Sequence, residues 1–253
     1  MKQQKPLISI LVPVHNAASH LEECIRSIKK QSFRNIELII IDDFSKDSSY
    51  RILKKLKKTE KRLKLYRNVK RYGIAVTMNR LLAKAKGSYI AFASTEDIFT
   101  KNKLKRQLEF LDKNPQVVAV GTQCLFINDK GTKIGRSSYP IQNEEINQNP
   151  LHGISMQFET VMINKKLLPK DTLKFDINSH PFLYSDIFIK IMAYGEFANL
   201  KKAYYYHRRN PKTYLMDLRR NIFSLAKLFV KSKAFHDYQF PLRSFFSPIL
   251  KSA

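Results

Sequence analysis

The chain has 253 residues, with 46 Lys and Arg against 21 Asp and Glu, a formal net charge of +25 and no tryptophan. That length can bury a sizeable core as one α/β domain, and no apolar stretch approaches the eighteen or so residues of a membrane span. Two cysteines, Cys24 and Cys124, both in apolar surroundings, argue against a disulfide framework or a cysteine metal site; with no cleavage site after the first apolar run, the chain is expected in the cytoplasm.

Ile8 to Val14 is an apolar run that stops on His15-Asn16 and reads as a buried strand. Ser19-His20-Leu21-Glu22 has capping-box spacing, and Leu21, Cys24, Ile25 and Ile28 share one face of the helix it would open. A second strand, Glu37 to Ile41, stops on the polar segment Asp42 to Ser48, where Asp47 or Ser48 is placed to cap a helix carrying Ile52, Leu53 and Leu56. Leu63 to Tyr66 is a short third strand. Gly73 precedes a helix with Ile74, Met78, Leu81 and Leu82, which Gly87 would close. Tyr89 to Ala93 is a fourth strand ending on Ser94-Thr95-Glu96-Asp97, and Leu104, Leu108 and Leu111 mark the next helix. The order βαβαβαβ predicts a doubly wound, mostly parallel sheet in an α/β fold, with ligands at the carboxyl ends of its strands.

Further on, Val117 to Phe126 reads as a strand, Asn128-Asp129-Lys130-Gly131 as a hairpin, and the polar stretch to Pro150 as a mobile loop. Residues 51 to 72 hold 11 basic and 1 acidic residue, and residues 201 to 253 hold 12 and 2. Such a field favours an anionic partner, although for residues 51 to 72 a solvated face explains it equally well. In the last segment, Tyr214, Leu215, Leu218, Ile222, Leu225, Leu228 and Phe229 form an apolar face among Arg219, Arg220, Lys227, Lys231 and Lys233, with Phe245, Phe246, Ile249 and Leu250 beyond. A basic amphipathic helix of this kind either lies on an anionic membrane surface or docks on the sheet. There is no nucleic-acid recognition module, so nucleic acid is not an expected partner. A basic nucleic-acid-binding α/β protein is the rival class, marked by steeply salt-dependent affinity.

Taken together, Pro13-Val14-His15-Asn16, then Asp42-Asp43-Phe44-Ser45-Lys46-Asp47, then Gly73 with Asn79, then Lys86 to Phe92, resemble the family 2 inverting glycosyltransferases of GT-A fold. The resemblance implies a glycosyltransferase domain over residues 1–207, with a donor-binding half at about 7–112 and a smaller mixed acceptor-side sheet in 113–207. Residues 208–253 are then a basic amphipathic tail. It implies a nucleotide-sugar donor, with uridine diphosphate sugars first, and a cell-surface glycan or lipid-linked glycan acceptor. Asp43 matches the acidic residue that holds the nucleobase, and Pro13, Val14, His15 and Asn16 line the same pocket; His15 stands where the family more often has tyrosine. Gly73 lets the backbone pass close to the nucleotide and Asn79 matches a polar residue of the following helix, unless either serves packing. Asp42 and Asp47 are open to structural roles in the turn and the helix cap.

After the fourth strand the family carries Asp-x-Asp-Asp, whose acidic pair holds a divalent cation, Mn or Mg. This chain has Ser94-Thr95-Glu96-Asp97, which leaves Glu96 and Asp97 as metal ligands and Thr95 as a donor contact; alternatively Ser94 or Thr95 caps the next helix. Lys101 or Lys103 would then offset the lost charge. The family's catalytic base comes from a Glu-Asp pair opening a helix. An ungapped alignment puts Leu183-Tyr184 there, whereas a two-residue deletion puts Ser185-Asp186 there and makes Asp186 the catalytic base. The second is taken because Asp186 is the only carboxylate between Asp176 and Glu196; its alternative role is a helix cap, and Glu159 is a weaker substitute. Ala203 to Arg209 resembles the family's closing strand, with His207 and Arg208 in reach of the diphosphate. The missing acidic residues also fit a catalytically degenerate relative that binds a nucleotide sugar or partners.

Overall fold

The structure, a computed structural model, describes residues 7–208 and 221–238. Four parallel strands open the chain: β1 (Ile8–Val14), β2 (Ile36–Asp42), β3 (Leu63–Arg67) and β4 (Tyr89–Phe92), joined by helices α1 (Leu21–Lys29), α2 (Ser49–Thr59) and α3 (Ile74–Lys84). Next come a two-residue strand β5 (Ile98–Phe99), α4 (Lys103–Lys113), β6 (Val117–Ile127), β7 (Lys133–Arg136) and α5 (Asn143–Gln148). A 3₁₀ turn (Phe158–Thr160) leads into β8 (Met162–Asn164), followed by α6 (Leu183–Met192), β9 (Glu196–Arg208) and α7 (Ile222–His236).

The strand order is β3-β2-β1-β4-β8-β6-β9-β5, with β7 on β6. A separate acceptor-side sheet is thus not what forms. One nine-stranded sheet runs through both halves, and its mixed character comes mainly from β8, antiparallel to both β4 and β6. β6 and β9 are again parallel.

Side chains alternate across the strands, so each strand feeds two cores. On one face Ile8, Ile10 and Val12 meet Leu21, Cys24 and Ile25 of α1, Leu53 of α2, and Leu104 and Leu108 of α4. On the other, Leu11, Ile39 and Ile41 meet Ala75, Met78 and Leu81 of α3, and Ile187, Phe188 and Ile191 of α6. Each such aliphatic side chain contributes about 1.5–3 kcal/mol on burial. The helices therefore lie on both sides, as the doubly wound reading expects. Both cysteines are free and buried.

Three local signals act otherwise than the sequence suggests. The Ser19–Glu22 capping box does not form: α1 starts from His20 without a side-chain cap. Gly87 is no left-handed cap. A Cβ there would lie 2.7 Å from the Ser9 amide nitrogen and 2.8 Å from the Leu7 carbonyl oxygen, so the glycine lets its loop pass against β1. Neither Ser94 nor Thr95 caps α4, because β5 intervenes and Asn102 precedes the helix.

α7 packs Leu225 and Leu228 against Leu151, Ile154, Phe182 and Ile189. The face built on Leu225 and Leu228 is thus turned into the protein, and Phe223, Val230 and Phe235 point outward. Tyr214, Leu215, Leu218, Arg219, Arg220, Phe245, Phe246, Ile249 and Leu250 lie outside the described residues. Among the described residues no helix is long and apolar enough to cross a membrane.

Candidate functional site

The carboxyl ends of β1, β2 and β4 share one edge of the sheet, and the polar tips converge there. Asp43 directly follows β2, and its backbone N–H donates to the Val14 carbonyl at 2.7 Å. Its side chain is buried and accepts from the Asn68 amide at 2.7 Å and from the backbone N–H groups of Tyr72 at 2.9 Å and Gly73 at 2.8 Å. Burial raises its carboxyl, but these donors outweigh burial and hold it below the usual carboxylate range. Gly73 has φ 83°, a left-handed value suited to glycine, and starts α3. The Thr77 hydroxyl, itself 3.1 Å from the Asn68 amide, is a fourth donor to the carboxylate.

The loops beside Asp43 are latched to each other. His15 Nδ1 lies 2.9 Å from the Asp43 carbonyl oxygen. Asn16, at φ 49°, donates its backbone N–H to Ser45 Oγ and accepts from the Lys46 N–H. Asp47 accepts from the N–H groups of Ala18 and Ser49, and Ser49 Oγ accepts from Ala17. Asp47 is thus structural, as is Asp42, which is buried and paired with Arg67 at 3.0 Å. Pro13 and His15 are half-buried at the edge and Asn16 is exposed, whereas Val14 points into the core and offers the site only its carbonyl. Asn79 is likewise committed: its amide donates to the Phe175 carbonyl and accepts the Phe175 N–H, both at 2.8 Å, tying α3 to the acceptor half.

At the end of β4, Thr95 is half-buried and Glu96 exposed. Asp97 is buried, with Oδ2 2.9 Å from His207 Nδ1 and Oδ1 accepting the Arg208 N–H at 2.8 Å. Arg208 in turn donates to the Glu96 carbonyl, to the carbonyls of Asn128 and Asp129, and to Glu23. The expected metal pair is therefore split. Asp97 joins β4 to β9, and Glu96 alone keeps a carboxylate turned to solvent. Among the described residues no group of three His, Cys, Asp or Glu side chains is placed to hold a metal ion. The donor set does not fit a resident metal centre. It does fit a cation that arrives on a diphosphate, since magnesium is commonly held by one or two carboxylates plus substrate phosphates.

Lys103 cannot face a phosphate either. It is fully buried, its ammonium 2.9 Å from Gln107 Oε1 and 4.4 Å from the Phe99 ring centroid, and burial lowers its pKa from 10.5 to about 7. Lys101 is exposed.

The expected base is the largest correction. Asp186 is 1% exposed and lies in the first turn of α6. Lys190 reaches one of its oxygens at 3.1 Å and Lys231 of α7 the other at 2.7 Å, while Lys231 also binds Asp176 and Ser179, each at 2.8 Å. Asp186 fastens α7 to α6 and is not disposed to take a proton from a substrate.

Around Glu159, the weaker substitute of the sequence, stand Gln157, Phe158 and His152, which no sequence signal marked. β8 is antiparallel, so the 3₁₀ turn before it lands at the edge where β4 ends, and Phe158 packs on Phe92 with ring centroids 4.3 Å apart. Gln157 donates to Glu159 at 2.6 Å and lies 3.4 Å from His207 Nε2. Tyr184 stacks on Phe158 at 4.2 Å and meets His152 edge-on at 5.0 Å. Glu159 is half-buried between these groups.

The sequence profile of Glycosyl transferase family 2 matches residues 9–170. An uncharacterized glycosyltransferase of Haemophilus influenzae is 40% identical over 129 residues, 51% of each chain. The putative teichuronic acid biosynthesis glycosyltransferase TuaG of Bacillus subtilis is 37% identical over 111 residues, 44% of each. The chain spans about half the length of these curated relatives. Among solved structures, S. aureus TarS 1-349 in complex with UDP-GlcNAc superposes with a TM-score of 0.67 at 20% identity, over 97% of this chain and 76% of that one. The mannosyltransferase PcManGT from Pyrobaculum calidifontis, in complex with GDP-Man and Mn2+, gives 0.68 at 19% identity, over 98% and 69%. At such identities the likeness shows the fold, which is GT-A.

Proposed function

Because the chain belongs to glycosyl transferase family 2, we propose that it moves a sugar from a nucleotide diphosphate sugar, a uridine diphosphate sugar first, to an acceptor hydroxyl with inversion. The supporting observation is Asp43. A buried carboxylate at the end of β2, kept ionised by two backbone N–H groups, Asn68 and Thr77, suits the imide N–H of a uracil ring as a further donor. On this reading Pro13, His15, Asn16 and Gly73 flank the base and Thr95 is the contact for the diphosphate, while His207 and Arg208, expected there from the sequence, are held instead by Asp97, Glu23 and the carbonyls of Glu96, Asn128 and Asp129.

A divalent cation fits this reading as a companion of the diphosphate with Glu96 as its protein ligand, and bound there it would neutralise the departing charge. The acceptor is a cell-surface polysaccharide or lipid-linked oligosaccharide. Its support is a net positive charge: a groove of about 910 Å³ between α1 and β5 is lined by Arg26, Lys29, Lys30, Arg34 and Lys101 against Glu22 and Glu23. Peripheral contact with an anionic membrane surface belongs to the same reading, supported by Phe223, Val230 and Phe235 standing outward on α7 near Lys227 and Lys233. The enclosed Asp186 also favours a second reading, a relative that binds nucleotide sugar without turning it over.

Calorimetric titration of uridine diphosphate with and without Mn²⁺ tests the donor site. Binding is expected, weakened roughly 100-fold by Asp43→Ala and tightened by metal only while Glu96 is present. Absence of binding under both conditions would sink the proposal.

A further inference from the structure

If the donor reading above holds, an inverting transfer still needs a group to take the proton of the acceptor hydroxyl, and neither alignment with the family's base supplies one. Leu183 has no titratable group, Tyr184 is stacked on Phe158, and Asp186 is closed in by Lys190 and Lys231. We propose that Glu159 is the general base, presented at the substrate edge by the reversed strand β8.

The geometry supports this in three steps. First, direction: β8 pairs antiparallel with β4 through Tyr89–Asn164, Ile90–Ile163 and Ala91–Met162, so residues just before Met162 lie beyond the carboxyl end of β4. That places Glu159 on the same rim as Ser94 to Asp97. Second, freedom: Glu159 has no cationic partner within ion-pair distance among the described residues, and the only side chain shown bonded to it is the Gln157 amide, at Oε2. Gln157 is itself held by the Tyr139 hydroxyl, so it orients the carboxylate without neutralising it. Third, charge: burial raises the Glu159 carboxyl, while His152 and His207 and the Gln157 bond lower it further, so the group is ionised at neutral pH and ready to accept.

The step balances simply. The acceptor oxygen forms a bond to the anomeric carbon as the bond from that carbon to the diphosphate oxygen breaks. The electron pair leaves with the diphosphate, and the acceptor's proton passes to Glu159. No covalent sugar–enzyme intermediate is required. Water entering in place of the acceptor would undergo the same transfer, which makes donor hydrolysis a usable readout.

The experiment measures release of uridine diphosphate from UDP-GlcNAc, UDP-glucose and UDP-galactose by the full chain, beside uridine diphosphate binding by calorimetry. Glu159→Gln is expected to lower release at least roughly 100-fold with binding unchanged, Glu159→Asp to recover part of it, and Asp186→Asn to retain it. Release by Glu159→Gln within about twofold of the wild type, with native-like thermal melting, would overturn the assignment, as would a wild type that binds uridine diphosphate but releases none. A wild type that does not bind uridine diphosphate would instead strike the donor reading on which the assignment rests.

Discussion

The two halves of the sheet meet the same rim by opposite means. In the donor half, Asp43, Asn16, Asp47 and Gly73 follow parallel strands, and the groups that hold them are largely backbone N–H groups within about thirty residues along the chain. Toward the later strands, the polar contacts run mostly between side chains: Asp97 with His207 and Asp186 with Lys231 bridge 110 and 45 residues, and Glu159 with its near neighbour Gln157 sits beside His207. Backbone donors keep a nucleotide pocket constant whatever the neighbouring side chains are. A rim built of side-chain pairs can change its chemistry by single substitutions.

The sharpest way to break that contrast is at Asp43. Asp43→Ala strands the Asn68 amide and the Tyr72 and Gly73 N–H groups; loss of one charge-assisted bond to the nucleobase alone predicts weakening of uridine diphosphate by roughly 100-fold. Binding that survives would mean the backbone, not the carboxylate, is the recognition element.

Next in size is Lys103, under the acceptor half. The unfolded chain keeps this proton up to pH 10.5 and the folded one only to about 7, so between those values the unfolded state binds more protons and stability rises with pH. Lys103→Met, of similar length and uncharged, is expected to be more stable than the wild type at pH 6 by on the order of 3 kcal/mol, with the gap narrowing above about pH 7 and closing near pH 10.5. A gap constant with pH would show that the buried ammonium is not the cause.

Asp186→Asn comes third. Lys190 and Lys231 are partly exposed, so the loss is smaller than the roughly 3–5 kcal/mol of a fully buried pair, about 2 kcal/mol. That corresponds to a fall in melting temperature of roughly 4–8 °C, with uridine diphosphate binding untouched. Smallest is Glu22→Ala, which removes an exposed pair with Arg26 and should move the melting temperature by about 1 °C or less.

The same contrast decides what could be read from the sequence. The four parallel strands and their helices were legible because buried runs and helical periods are local, and Asp43 could be placed because it ends such a run. The capping box misled because a turn already closes ahead of it, the Leu21 N–H donating to the Ala17 carbonyl, while Ala17 and Ala18 are themselves fixed by Ser49 and Asp47 of the other loop, about thirty residues away. Asp186 was the only carboxylate in its segment, but nothing local shows that a lysine 45 residues later closes over it. Glu159 was visible in an apolar run. Its place at the rim depends on β8 running backward, and strand direction leaves no mark in three residues.

The Asp97 joint also sets an order in time. Its carboxylate must wait for partners 110 and 111 residues further along, at His207 and the Arg208 N–H. At synthesis rates of roughly 5–20 residues per second, that is about 5–20 seconds in which the nucleotide pocket can form while its far wall is still unmade. On the proposed function, a nascent chain could thus hold a nucleotide before it can deliver a sugar, and competence would arrive only with the last strand.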